Sequence, residues 1–219
     1  MTGSLHGIGA PAHNAGGEGE LFKRILGERW RALHPDIQRR FECNPLPGQP
    51  LLYSGRLEEL SCSFWGRLFG LLTWPLIKGA LIPHTALDFP VDIRVYSKPA
   101  CSHIFKERTY RLPGRKPILF TSHMKQSPAG EVLEYVGLGL GMKLRVFEQE
   151  HNLHFQSDGY FWDLGFVRVP VHAWLSPGVT YLSHVNEGPN QFRIRIDIIH
   201  PLLGRMFTQA GVFSAVPTP

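Results

Sequence analysis

Eleven histidines are the residues of this chain that most readily suggest a reaction or a metal. Imidazole titrates near neutrality and ligates transition metals, so a histidine beside another histidine or a carboxylate is the first arrangement to test. The tightest grouping is EQEHNLHF, where His151 and His154 stand three apart with Glu148 and Glu150 beside them. A spacing of three aligns two ligands on a helix. This stretch reads as a hairpin turn between two alternating segments, which separates the two rings, and no metal is expected. His103, His123, His172, His184 and His200 each stand alone in strand-like surroundings.

Other reactive patterns are equally sparse. The chain carries no HExxH, no GxSxG elbow and no P-loop. GLGLGM, residues 137–142, has the glycine density of a phosphate loop, but KLRVFEQE follows it and alternates like a strand where a helix is required. Its glycines therefore suit a bulge or bend in a curved sheet. Cys43, Cys62 and Cys101 are odd in number and widely spaced, without CxxC or Cys/His ligand spacing. That pattern suits reduced thiols in a cytoplasmic protein and neither a disulfide framework nor a zinc site. No cofactor is expected. Carboxylates are scattered along the strand region, and spacing selects no catalytic pair among them.

Those side chains are positioned by a chain whose pattern changes near residue 83. Residues 1–18 show neither a basic n-region nor an apolar h-region and read as a disordered tail. Helical spacing of Leu21, Phe22, Ile25 and Leu26, then of Ile37 and Phe41 behind Pro35, predicts helices over 18–31 and 35–42. LLYSGRLEEL alternates weakly and suits a first strand. FWGRLFGLLTWPLIKGALIP, residues 64–83, is an apolar helix stopped or bent near Pro75. Arg67 and Lys78 count against its spanning a bilayer. It suits either a cover over a buried surface or an interfacial helix with Trp65 and Trp74 at headgroup level.

Beyond Pro83, DFPVDIRVY, SHIFKERTYRL, ILFTSHMKQ, EVLEYVG, MKLRVFEQE, LHFQSDGYFW, VTYLSHVNE and FRIRIDII follow one another, each bounded by Gly, Asn or Pro. GFVRVPVHAWLSPG is a proline-punctuated excursion that can leave the sheet. The expectation is a mainly β (α+β) protein: a curved antiparallel sheet or partly open barrel of about nine or ten strands, with two or three N-terminal helices covering one side. Residues 19–214 form one domain on this reading, with 19–83 mostly a helical cap and 84–214 the sheet. No strand–helix–strand repeat follows residue 83, which excludes a doubly wound nucleotide-binding sheet. The net charge of +5 is dispersed without a basic block, so no nucleic-acid partner is expected. His200 precedes Pro201 in HPLLG, which makes it a corner where a strand ends.

LFKRILGERWRALHPDIQRRFE, RLFGLL, FPVDIRVY, EYVG, LSPGV and the closing FRIRIDIIHPLLGRMFTQAGVF together resemble the domain-of-unknown-function family 4166, over about residues 20–213. The resemblance implies an uncharacterised bacterial domain, found alone or fused behind saccharopine-dehydrogenase-like or short-chain oxidoreductase modules. It therefore implies an accessory or ligand-holding role, with a separate oxidoreductase as a partner. The strand after Pro177 often carries an acidic residue in that family, whereas YLSHVNE places Ser183 and His184 ahead of Glu187.

An aromatic-rich strand set beneath an apolar helix leads to a non-catalytic domain holding a hydrophobic or amphipathic small molecule. Arg108, Ser122, His123, Glu134 and His184 are the candidate polar anchors. Trp65, Phe69 and Trp74 are candidate lid or membrane contacts, and the location expected is cytoplasmic or membrane-peripheral. The alternatives are an enzyme or oxidoreductase subunit using a His–carboxylate pair, and a peripheral membrane protein.

Overall fold

Strand-like alternation becomes a continuous antiparallel ladder in the computed structural model, which describes residues 17–99 and 103–217. Cys101 and most of the N-terminal tail lie outside the described residues. Three α-helices form among the described residues: α1 (Glu18–Leu26), α2 (Pro35–Glu42) and α3 (Phe64–Thr73), with a 3₁₀ segment over Gly27–Ala32 between the first two. The strands begin with β1 (Leu51–Cys62), β2 (Ala86–Ser97), β3 (Ile104–Tyr110), β4 (Ile118–Gln126) and β5 (Val132–Gly137). They continue with β6 (Leu140–Gln149), β7 (Asn152–Asp163), β8 (Arg168–Val171), β9 (Val179–Gly188), β10 (Gln191–His200) and β11 (Gly204–Ala215).

The sheet order is β6-β5-β4-β3-β2-β1-β11-β10-β9-β7-β8, and β6 also pairs with β7. That last pairing, from Leu140↔Trp162 to Gln149↔Asn152, closes a ten-stranded barrel. An open or half-open sheet is thereby corrected to a closed one. Closure satisfies the edge strands, whose free N–H and C=O groups would otherwise invite association. β1 (Leu51–Cys62) also sits in the middle of the sheet, within the region expected to be mostly a helical cap.

One place departs from regular closure. The first half of β7 pairs with β9 at Leu153–Gln156, and its second half pairs with β8 at Tyr160–Asp163. Between the halves, Ser157 Oγ accepts from Thr180 N–H at 2.9 Å and the Tyr160 hydroxyl lies 2.6 Å from Thr180 Oγ1. The excursion expected to leave the sheet around Pro170 and Pro177 does so only in part: Arg168–Val171 pair with β7 as an added edge strand, and a 3₁₀ turn over Ala173–Leu175 follows.

The helices cover opposite ends of the barrel, which corrects the expectation of one covered side. α1 and α2 pack at the end where β7 starts and β9 finishes. There Phe22, fully buried, meets Phe41 and Phe155 edge-on at 5.4 and 5.5 Å. Burying such a side chain contributes about 1.5–3 kcal/mol. The His34 ring caps α2 by accepting from Asp36 N–H at 3.2 Å, and Pro35 fills a first-turn position that has no use for a backbone donor. α3 lies at the other end against β1 and β11. Ser63 Oγ caps it by accepting from Gly66 N–H at 3.1 Å. A Cβ on Gly66 would sit 2.0 Å from the Met206 carbonyl oxygen, so only glycine lets this helix approach so closely.

GLGLGM forms the β5–β6 turn, with Leu138 and Gly139 at φ of 44° and 77°. His151 stands in the β6–β7 turn at φ 64°, its Nδ1 2.7 Å from the Ala32 carbonyl oxygen, which ties that hairpin to the helices. His154 stacks on Phe147 across the hairpin, centroids 5.4 Å apart.

His200 is buried at the β10–β11 corner, where its Nδ1 accepts from the N–H groups of Leu202 and Leu203, both at 3.2 Å. His200→Ala should destabilise the domain by about 1–3 kcal/mol, because two turn donors lose their acceptor. Urea denaturation is the check. A loss indistinguishable from zero would mean that the ring is not the acceptor that holds this turn.

Candidate functional site: the barrel lumen

Alternation sends every second residue of each strand into the barrel. The resulting lumen has a volume of about 600 Å³. Its lining is apolar over most of its extent and includes Ile93, Met142, Leu144, Leu182, Ile194 and Ile196. The polar lining is unevenly distributed. Strand direction places Lys106, Ser122, Glu134 and His184 in the half nearer α1 and α2, which add Glu18 and Arg40. The half nearer α3 is lined by Phe69, Leu76, Ile77, Leu140, Trp162 and Phe207, and its polar members Thr73, His172, Ser176, Thr180 and Gln209 include no carboxylate, Lys or Arg among the described residues.

Within the polar half, Lys106 Nζ pairs with Glu18 Oε1 at 2.7 Å. Arg108 donates from Nη1 to Ser122 Oγ at 3.1 Å. The Arg40 guanidinium lies 3.7 Å from the centroid of Phe192, a cation–π contact strengthened by exclusion of water. Apart from Glu18 Oε1, which has its ion pair with Lys106, the lumen-lining atoms Arg40 Nη1, Glu134 Oε2 and His184 Nδ1 are buried without a hydrogen-bond partner among the described residues. The His184 ring is enclosed by Phe41, Phe155 and Phe192 at centroid distances of 5.2, 6.0 and 6.2 Å.

Burial sets the titration of these groups. It lowers the Arg40 guanidinium to about 10 and raises the Tyr53 hydroxyl to about 12. It also holds the His184 imidazole well below its ordinary value, an effect reinforced by the charges of Arg40, Lys106 and Arg108. His184 is therefore a neutral donor–acceptor at pH 7. The lining carries three cations against two carboxylates, one of which is already paired with Lys106.

Of the anchors expected from the sequence, Arg108, Ser122, Glu134 and His184 line the lumen and His123 does not. Ser122 and His123 are neighbours on β4, so they face opposite ways. His123 joins a row of rings on the outer face, 5.1 Å from His103, 5.3 Å from Phe105 and 4.9 Å from Tyr135. Phe69 reaches the lumen, Trp74 packs half-buried against the core, and Trp65 is exposed. Arg40, Lys106, Tyr53 and Phe192 were not anticipated. Lys106 shares strand parity with Arg108, which is the signal that could have found it. Arg40 carried none, because the placing of α2 over the barrel end is a tertiary fact.

A family model described as a domain of unknown function, DUF4166, matches residues 33–213. The chain belongs to this family. The DUF4166 match contains α2, α3, the first ten strands and β11 up to Phe213, so it encloses every lumen residue named here except Glu18. No curated protein and no solved structure shows significant similarity to the chain. On the strand after Pro177, His184 faces the lumen.

Proposed function

We propose that this DUF4166 domain is a binding protein that holds an amphipathic small molecule, apolar over most of its length and acidic at one end, in the barrel lumen. The carrying observation is the lumen itself: about 600 Å³, mostly apolar, with cations and unpartnered polar atoms gathered at one end. Small-molecule sites have this character, a concave apolar surface with a few polar groups that fix orientation. Arg40 Nη1 and Arg108 are the donors offered to an acidic head, and His184 adds a neutral hydrogen-bonding group beside them.

A catalytic reading draws no comparable support. The His184 ring faces aromatic rings, and the imidazole nearest a carboxylate among the described residues is His34, 3.7 Å from Asp36 at the cap of α2.

The test is to extract the purified full chain with organic solvent, identify retained compounds by mass spectrometry, and titrate the stripped protein with 1-anilinonaphthalene-8-sulfonate. This dye has an apolar ring system and one anionic group, which match the two ends of the lumen. Saturable binding to one site is expected, and Arg40→Met should weaken it by about tenfold or more, as loss of a charge-assisted hydrogen bond does. An empty extract together with no saturable dye binding would overturn the reading.

A further inference from the structure

The outer face of α3 is as apolar as its inner one. Gly66, Phe69 and Gly70 turn toward the barrel, while Phe64, Trp65, Leu68, Leu71 and Leu72 point away from it. Phe64 is 73% exposed and Leu72 70%, values unusual for side chains of this size. The apolar surface does not stop at the helix. Exposed Leu76 follows α3, its segment touches the β5–β6 turn at Gly137, and the Leu138 carbonyl accepts from Trp162 Nε1–H at 2.8 Å. Trp162 pairs with Val169 of β8, and from there Phe166, Trp174 and Leu175 extend the exposed apolar rim.

A second feature beside this rim indicates what covers it. Arg67 lies on the flank of α3, about one helical turn from Leu71, and forms one wall of a polar pocket of about 430 Å³ shared with His84 and Arg115. No carboxylate among the described residues lines that pocket. Arg67 Nη2 donates to Thr85 Oγ1 at 3.1 Å, which holds the guanidinium there. The acidic residues of the adjoining strand, Asp88 and Asp92, are committed to Arg56 and Arg111. Lys78 is exposed in the segment after α3, and Lys116 is exposed beside Arg115. An apolar helix face carrying Trp and Phe, flanked by uncompensated cations, matches the apolar interior and negative surface of an anionic bilayer. A second copy of this chain would bring the same cations against each other.

We infer that the α3 end of the barrel docks on an anionic phospholipid membrane. Phe64, Trp65, Leu68, Leu71 and Leu72 enter the headgroup–acyl boundary, and the Arg67–His84–Arg115 pocket receives a lipid phosphate. The apolar half of the lumen, which reaches the surface at Leu76, Trp162, Val169 and Leu175, then opens on the bilayer side. Docking does not depend on what the lumen holds.

Flotation of the full chain with vesicles tests this. Binding is expected with phosphatidylcholine mixed with phosphatidylglycerol, and little with phosphatidylcholine alone. Leu71→Glu with Leu72→Glu should abolish it while leaving the thermal transition in place, because both side chains are exposed. Arg67→Gln with Arg115→Gln should lower partitioning by about 25-fold, about fivefold for each charge withdrawn from the surface. Failure to float with anionic vesicles at low salt, or flotation of either double variant equal to that of the parent chain, would overturn the inference. So would a dimer that dissociates on Leu71→Glu/Leu72→Glu, since a second copy would then be the partner. A variant with a filled lumen should still float, which separates failure of this inference from failure of the lumen reading.

Discussion

Met142→Trp combined with Leu182→Trp is expected to abolish saturable binding of 1-anilinonaphthalene-8-sulfonate while the barrel remains folded. Met142 on β6 and Leu182 on β9 are only half-buried although both point inward, because each borders the lumen rather than a packed neighbour. Enlarging a side chain in a filled core costs about 1–3 kcal/mol through forced rotamers and backbone shifts. Here the added indoles enter open volume and gain apolar contact instead. The stability change should therefore be small, and the loss of dye affinity about tenfold or greater, because the ligand must displace two rings or do without their space. Dye titration and thermal denaturation followed by circular dichroism read the two effects separately. Unchanged binding by a folded double-Trp variant would place the dye outside the lumen, and the Leu71→Glu/Leu72→Glu variant shows whether the α3 face holds it.

Acidification supplies the second large effect. In the folded state His184 stays neutral because burial and three nearby cations disfavour its charged form. In the unfolded chain the same imidazole titrates near its ordinary value of about 6.5. Above that pH both states hold the neutral ring, and the group contributes nothing to the pH dependence. Below it the unfolded state takes up a proton that the folded state refuses. Stability then falls by up to about 1.4 kcal/mol per pH unit until the folded value is reached. His84, His103 and His123 are shifted down chiefly by burial and act in the same direction. Asp163, held low by the Tyr135 hydroxyl and the Gly165 N–H, loses its contribution only below about pH 4. The interval from pH 6.5 to 5 thus reports the histidines. Urea unfolding at several pH values should show a steeper decline for the parent chain than for His184→Leu. Equal slopes would mean that His184 is protonated in the folded barrel, contrary to its enclosure by Phe41, Phe155 and Phe192.

Local structure was largely legible because it follows from local chemistry. The apolar spacing of Leu21, Phe22 and Ile25, the prolines at 35 and 75, and the two-residue alternation of FRIRIDII each identify an element without reference to the rest of the chain. His200 was placed at a corner by the proline after it. Its further role, accepting from Leu202 and Leu203, needs only the tight turn that follows. Candidate site residues were less accessible. Ser122 and His123 both looked suitable, although one strand cannot send both inward, and nothing in ILFTSHMKQ says which face is buried.

The sequence by itself determined the class of the protein: helices concentrated in the first third of the chain and a long run of antiparallel strands after it, with no motif for metal, nucleotide or nucleophilic chemistry. These features are written in periodicities of two and 3.6 residues and in the backbone limits of proline and glycine. Only the tertiary structure decided that β6 meets β7 to close the barrel, that α3 and α1–α2 cover opposite ends, and that the charged lining gathers at one of them. Those outcomes depend on register and on contacts between distant segments. A shift of one residue would exchange Ser122 for His123 in the lumen, and no local signal in the chain forbids it. Pairing across the whole sheet does.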